Sequence, residues 1–159
     1  MVLRSRSAIF SFPELFPDLA DEGGYPHLTH LKCSICAIDE LSKIDAFPPP
    51  LSRLSNLRSL NLARNNILNR STALAGLSSL VNLTKLDLSY NFISEMTDAN
   101  TMLGNVKVLL LTGNRLTSCR GLDKLYSLEY LAVDENLIKS LSDIAAVAKV
   151  RKSRSFNTG

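Results

Sequence analysis

Residues 83–93 read LTKLDLSYNFI. Apolar residues stand at 83, 86, 88 and 93, and an asparagine stands at 91. The centre of the string, Leu86-Asp87-Leu88, alternates apolar and polar with period two, the pattern of a short strand with one buried face. Four other strings repeat it: LTHLKCSICAI at 28–38, LRSLNLARNNI at 57–67, VKVLLLTGNRL at 106–116 and LEYLAVDENLI at 128–138. Their starts lie 29, 26, 23 and 22 residues apart. Recurrence at such a period marks stacked units, because each unit has an apolar edge that it can bury only on its neighbours.

Each position of the unit has a physical reason. The leucines between polar residues face the core. The asparagine follows the strand where the chain turns, and its amide can both donate to and accept from backbone groups that the turn leaves buried. Asn65, Asn91, Asn114 and Asn136 are therefore expected to form a structural ladder; in the first copy Cys36, small and weakly donating, takes that place. The chain must then return to begin the next strand. Leu74, Leu77 and Leu80 in one return, and Leu122 and Leu125 in another, recur at intervals of three, which suits a 3₁₀ or short α turn. The expected fold is α/β: a right-handed leucine-rich-repeat solenoid, with a short parallel sheet on the concave face and 3₁₀ or short helical returns on the convex face. The repeat domain is expected over 28–148, with units starting near 28, 57, 83, 106 and 128.

A stack of this kind needs caps. Residues 1–27 read as a partial one: Phe12, Leu15, Phe16 and Leu19 have helical spacing, Pro17 limits the helix to a turn or two, and Gly23 and Gly24 end it. Pro48, Pro49 and Pro50 interrupt the first return and account for the long first interval. Ile144, Val147 and Val150 continue a return, but 149–159 reads as a basic disordered tail with no next strand, so an array cut short is expected.

Composition narrows the function. Of 159 residues, 29 are leucine and none is tryptophan; 45% are hydrophobic and 21% charged, so a packed core is expected rather than disorder. No apolar run is long enough to span a bilayer, and the first residues lack the apolar centre of a signal peptide. Three cysteines without a secretory signal point to a reducing compartment and a cytoplasmic location. The net charge of +3 comes from the tail: Lys149, Arg151, Lys152 and Arg154 stand there without an acid, and the other 148 residues carry 14 basic and 15 acidic side chains. That body has no basic stripe for nucleic acid. The tail itself reads as a solvated end, with a localisation or anionic-lipid patch as the sharper alternative.

Catalytic material is scarce. His27, His30, Cys33 and Cys36 have a spacing that raises zinc, and Cys33 and Cys36 a redox pair. The repeat register argues against both, since Cys33 and Cys36 fall at inward sites, His30 on the opposite face and His27 ahead of the strand. With only two histidines, both at the entrance to the first repeat, a Ser–His–acid arrangement has little material, and no glycine-rich phosphate loop accompanies the carboxylates Asp87, Asp134 and Glu135. No catalytic residue, metal or cofactor is expected.

The concave face is the better candidate. His30 and Lys32, Ser59 and Asn61, Lys85 and Asp87, Val108 and Leu110, and Tyr130 and Ala132 are expected to point outward, joined by Arg64, Tyr90, Phe92 and Glu135. Val108, Leu110, Tyr90, Tyr130 and Phe92 should cluster on the third to fifth strands within a rim of Lys85, Asp87 and Glu135. Apolar and aromatic groups inside a polar rim are how protein-binding hot spots are built. The competing expectation is that neighbours, or a further segment of a longer chain, cover them.

The 22- and 23-residue spacing resembles the SDS22-like class of intracellular leucine-rich repeats. The string at 82–91, Leu103-Gly104-Asn105-Val106-Lys107, Gly113-Asn114 and Leu122-Asp123-Lys124-Leu125-Tyr126-Ser127-Leu128 are similar to the repeat region of the nischarin family, and 30–44 more weakly so. That resemblance implies a non-catalytic cytosolic scaffold that restrains Rac and p21-activated-kinase signalling in cell migration. It also implies an integrin tail as a partner, through a segment beyond the repeats, and endosomal association through a PX domain; neither region is in this sequence. The alternatives are an SDS22-type regulatory subunit of protein phosphatase 1, which the uneven 29- and 26-residue intervals count against, and a structural spacer that binds nothing.

Overall fold

The computed structural model describes residues 2–4, 27–34, 54–68, 74–144 and 147. Six strands, β1 (Val2–Arg4), β2 (His30–Ser34), β3 (Ser59–Asn61), β4 (Lys85–Asp87), β5 (Val108–Leu110) and β6 (Tyr130–Ala132), form one sheet in chain order. All five pairings are parallel. Consecutive parallel neighbours require a return across the same side after every strand, so the chain climbs as a solenoid. The register is in phase with the repeat: Leu31, Leu60, Leu86, Leu109 and Leu131 stand side by side across five strands.

Strands of three residues would not hold alone. The ladder continues past them: Leu62 N–H donates to Asp87 O and Arg64 N–H to Ser89 O, Leu88 N–H to Leu110 O and Tyr90 N–H to Thr112 O, Leu111 N–H to Ala132 O and Gly113 N–H to Asp134 O. Behind the sheet lies a continuous core in which each repeat places its leucines against those of the next. Leu86, Leu88, Leu109 and Leu111 are fully buried, as are Ile67, Ile93 and Leu116 after the turn. Burying one such side chain contributes roughly 1.5–3 kcal/mol, and the repeat makes that gain several times over.

The asparagines bind consecutive repeats together. Asn91 Nδ2 donates to Leu88 O in its own repeat (2.9 Å) and to Leu62 O in the preceding one (3.1 Å), while its Oδ1 accepts from Ile67 N–H (3.0 Å). Asn114 repeats this with Leu111 O, Leu88 O and Ile93 N–H, and Asn136 with Val133 O, Leu111 O and Leu116 N–H. Asn65 donates to Leu62 O and Cys33 O. A second, exposed ladder precedes the strands, where Asn82 Nδ2 donates to Ser55 O (2.7 Å) and Asn105 Nδ2 to Val81 O (2.8 Å). These asparagines lie outside the repeated template, so their pairing shows only in the folded register.

The described returns are short and mixed: 3₁₀ turns at Ala75–Ser79 and Leu122–Lys124, single α turns at Ala99–Met102 and Leu141–Ile144. Gly121, at φ +91°, marks where two returns touch: a Cβ there would sit 2.3 Å from Met96 O and 2.7 Å from Thr97 Cα. β1 is a departure from expectation. It extends the sheet by one strand ahead of the first repeat, and Leu3 aligns with Cys33. A three-residue strand is too short for period-two alternation to stand out, so a sequence reading passes over it. The Phe12–Leu19 cap, the Pro48–Pro50 interruption, Cys36 and the 149–159 tail lie outside the described residues.

Candidate functional site: the outward sheet face

Because the inward positions are taken by leucine, the residues between them form two rows on the opposite face. His30, Ser59, Lys85, Val108 and Tyr130 align in the first row, and Lys32, Asn61, Asp87, Leu110 and Ala132 in the second. The face changes character along the stack. Over β2–β4 it is polar; over β5 and β6 it is Val108, Leu110, Tyr130 and Ala132.

Tyr130 is 37% exposed, whereas Val108 and Leu110 are half-buried. Leu110 points outward and is partly covered by its neighbours. It lies between Asp87 and Ala132 in register and forms one wall of a shallow depression of about 260 Å³ over β2–β4. His30, Lys32, Ser59, Asn61, Lys85 and Asp87 line the rest of that depression, together with Leu31 and Leu60. Asp87 is anchored: Asn61 Nδ2 donates to its Oδ2 (2.8 Å) and Ser89 N–H to its Oδ1 (3.0 Å). Asn61 Oδ1 in turn accepts from Ala63 N–H (3.0 Å).

Tyr90, Phe92 and Glu135 sit beyond the strands, at the rim where each repeat turns. Arg64, Tyr90 and Glu135 occupy equivalent positions with φ of 58°, 56° and 53°, and Gly113 holds the same position at 68°. Left-handed backbone throws these side chains along the stack instead of off the face. The Arg64 guanidinium lies 4.4 Å from the centroid of the Tyr90 ring, and the Tyr90 hydroxyl reaches Glu135 Oε1 at 3.4 Å. The ring therefore spans the intervening repeat, and Gly113 leaves it room: a Cβ there would meet Tyr90 Cδ1 at 2.4 Å. Arg115 stacks on Phe92 at 4.5 Å in the same manner. Phe92 is thus brought together with Arg115 at the rim. Arg64, Gly113 and Arg115 matter here for contacts that only the folded register reveals; the signal available earlier was glycine replacing a large side chain at one copy of a repeated position.

Other constellations separate. His30 is exposed and contacts Thr29 Oγ1 through Nδ1 (2.9 Å), His27 is exposed, and Cys33 is buried on the other side of the strand. Among the described residues no group of three His, Cys, Asp or Glu is placed to hold a metal. Burial, followed by the nearby Asp143 charge, pushes the Cys119 thiol up to about 11. Thr112 Oγ1 donates to Asp134 Oδ2 (2.8 Å), at the edge of β6. No helix among the described residues is long and apolar enough to cross a membrane.

Comparison with known proteins agrees with this geometry. Residues 82–100 match the Leucine Rich Repeat family model. Over 115 residues the chain is 35% identical to human serine/threonine-protein kinase 11-interacting protein, which covers 69% of this chain and 10% of that one. It is 30% identical over 95 residues to leucine-rich repeat and WD repeat-containing protein 1 of Xenopus tropicalis, covering 60% of this chain and 14% of the relative. The chain thus spans only 10% and 14% of the length of these two curated relatives. Among solved structures, internalin C2 of Listeria monocytogenes superposes with a TM-score of 0.62 at 21% identity, over 82% of this chain and 51% of the other. A leucine-rich-repeat protein of Leptospira interrogans gives 0.57 at 22% identity, over 78% and 35%.

Proposed function

From the premise that this chain is a leucine-rich-repeat solenoid, we propose that it is a non-catalytic protein-interaction module that docks a serine/threonine kinase on its outward sheet face. The observation that carries this reading is the run of Val108, Leu110 and Tyr130 on the solvent side of adjacent strands. Folding supplies no reason for apolar side chains there, since the core lies behind the sheet. A partner that covers them gains burial at roughly 25 cal/mol per Å². Polar residues flank them: Lys85 and Asp87 on β4, with Tyr90 and Glu135 at the rim.

The kinase is drawn from two directions. One relative is by name an interactor of serine/threonine-protein kinase 11. The resemblance to the nischarin family points to restraint of Rac and p21-activated-kinase signalling in the cytosol. On this reading residues 28–148 are the interaction domain, 1–27 its leading cap and 149–159 a basic extension.

Calorimetric titration of the full chain with three purified proteins tests it: a p21-activated-kinase catalytic domain, serine/threonine-protein kinase 11 and the catalytic subunit of protein phosphatase 1. Saturable heat with either kinase and none with the phosphatase is the expected result. Binding to the phosphatase alone would overturn the reading in favour of an SDS22-type regulator. No heat with any of the three would remove the kinase assignment.

A further inference from the structure

Resting on the reading of this face as a docking surface, we propose that the depression over β2–β4 receives one carboxylate side chain from the docked polypeptide, a single negative charge against the surplus of one positive charge among Lys32, Lys85 and Asp87. The register places the groups for it. Ser59 and Asn61 on β3 form the middle, and the two lysines approach from either side, Lys85 from β4 beside Ser59 and Lys32 from β2 beside Asn61. Two strand steps of about 4.8 Å separate the lysine backbones, a gap that two long flexible side chains close over a single anion. Among the described residues neither Lys32 nor Lys85 has an ion-pair partner, unlike Lys107, which meets Glu129 at 3.3 Å.

The single carboxylate in the depression does not fill this role. Asp87 is held in place along the sheet by the Asn61 amide and by Ser89 N–H, and two ammonium groups outnumber its one negative charge. The Ser59 hydroxyl adds a donor. The cavity of about 260 Å³ suits one side chain rather than a nucleotide. Leu110 forms both the wall of the depression and the near edge of the apolar patch, so one polypeptide can use both. From β3 to β5 is about 10 Å, roughly three residues of extended chain, so the recognised pattern is an anionic residue followed or preceded at about three residues by a large apolar one.

Three peptides identical except for serine, glutamate or phosphoserine at one position, with phenylalanine three residues later, are titrated into the isotopically labelled full chain by NMR, beside inorganic phosphate. The glutamate peptide should shift signals of residues 30–32, 59–61 and 85–87 and bind at least about tenfold more tightly than the serine peptide. Lys32→Ala with Lys85→Ala should abolish that preference, and Lys107→Ala should keep it. Tighter binding of the phosphoserine peptide than of the glutamate peptide would overturn a carboxylate as the occupant; phosphate alone shifting the same signals with no peptide preference would overturn a peptide-borne ligand. Equal binding of all three peptides, an unchanged preference in the double lysine variant, or the absence of saturable shifts would overturn the site. A parent chain that binds the kinase yet shows no peptide preference would dismiss this inference and leave the docking face standing.

Discussion

At the scale of the residue, the turn asparagine does the most for its size. Asn91 satisfies the carbonyls of Leu62 and Leu88 and the amide of Ile67, all buried. Asn91→Ala leaves the Ile67 amide unpaired and takes one of two side-chain donors from each carbonyl, since Asn65 still reaches Leu62 O and Asn114 still reaches Leu88 O; it should cost about 1–3 kcal/mol in a denaturant titration. Lys85→Ala, on the exposed side of the same repeat, should stay within about 0.5 kcal/mol. Gly113 is the other decisive residue. Its left-handed backbone is shared by Arg64, Tyr90 and Glu135, so the conformation alone does not demand glycine; the Tyr90 ring does. Gly113→Ala should destabilise by about 1–3 kcal/mol and by clearly less in a Tyr90→Ala background, a coupling that a double-mutant cycle reads directly. Cys119 makes a pH prediction. Its thiol is held up at about 11 against an ordinary 9.0, so the folded state keeps a proton that the unfolded state releases. Stability should therefore fall as pH rises from about 9 to about 11, and Cys119→Ala should flatten that slope in denaturant titrations across the window.

The asparagines were legible in the sequence because they recur at a fixed offset from the leucines. The Arg64–Tyr90–Glu135 line was not, since it depends on which side chain the left-handed backbone lays over which neighbour, 26 and 45 residues apart. Outward orientation of Val108 and Leu110 followed from alternation alone. Their degree of burial did not, because it is set by neighbours on other strands.

At the scale of the element, the strands are legible and the returns are only half so. Period-two alternation repeated in five strings locates β2–β6, whereas leucines three apart announce a tight turn without deciding between 3₁₀ and α geometry. β1 has no repeated string to announce it. How closely two returns approach is invisible in the sequence, yet Gly121 records it. A Cβ at Gly121 meets backbone atoms of Met96 and Thr97, which cannot rotate aside, and its φ of +91° is strained for any other residue. Gly121→Ala should cost more than about 2 kcal/mol. Gly104 is the control: a Cβ there meets only Asn100 O at 3.7 Å, so Gly104→Ala should be neutral or stabilise by up to about 1 kcal/mol. Thermal unfolding of the two variants, one at each return, checks the contrast.

At the scale of the whole molecule, the chain is close to one-dimensional: each strand pairs only with its neighbours in sequence. Core and face are thereby separated on every strand, and the account holds that the core side makes the fold while the face over β5 and β6 makes the interaction. Leu110 and Leu111 are adjacent residues on opposite sides of that division, the first half-buried on the face and the second fully buried behind it. Serine is the fitting replacement at 110, because aspartate there would face Asp87 across the β4–β5 pair. The most direct measurement is kinase affinity and thermal midpoint recorded together for Leu110→Ser with Tyr130→Ala, and for Leu111→Ser. The account predicts that the face variant keeps a midpoint near that of the parent and binds at least about tenfold more weakly, while Leu111→Ser loses about 2–5 kcal/mol of stability. A face variant that unfolds as readily as Leu111→Ser, or that binds the kinase as the parent does, would contradict it.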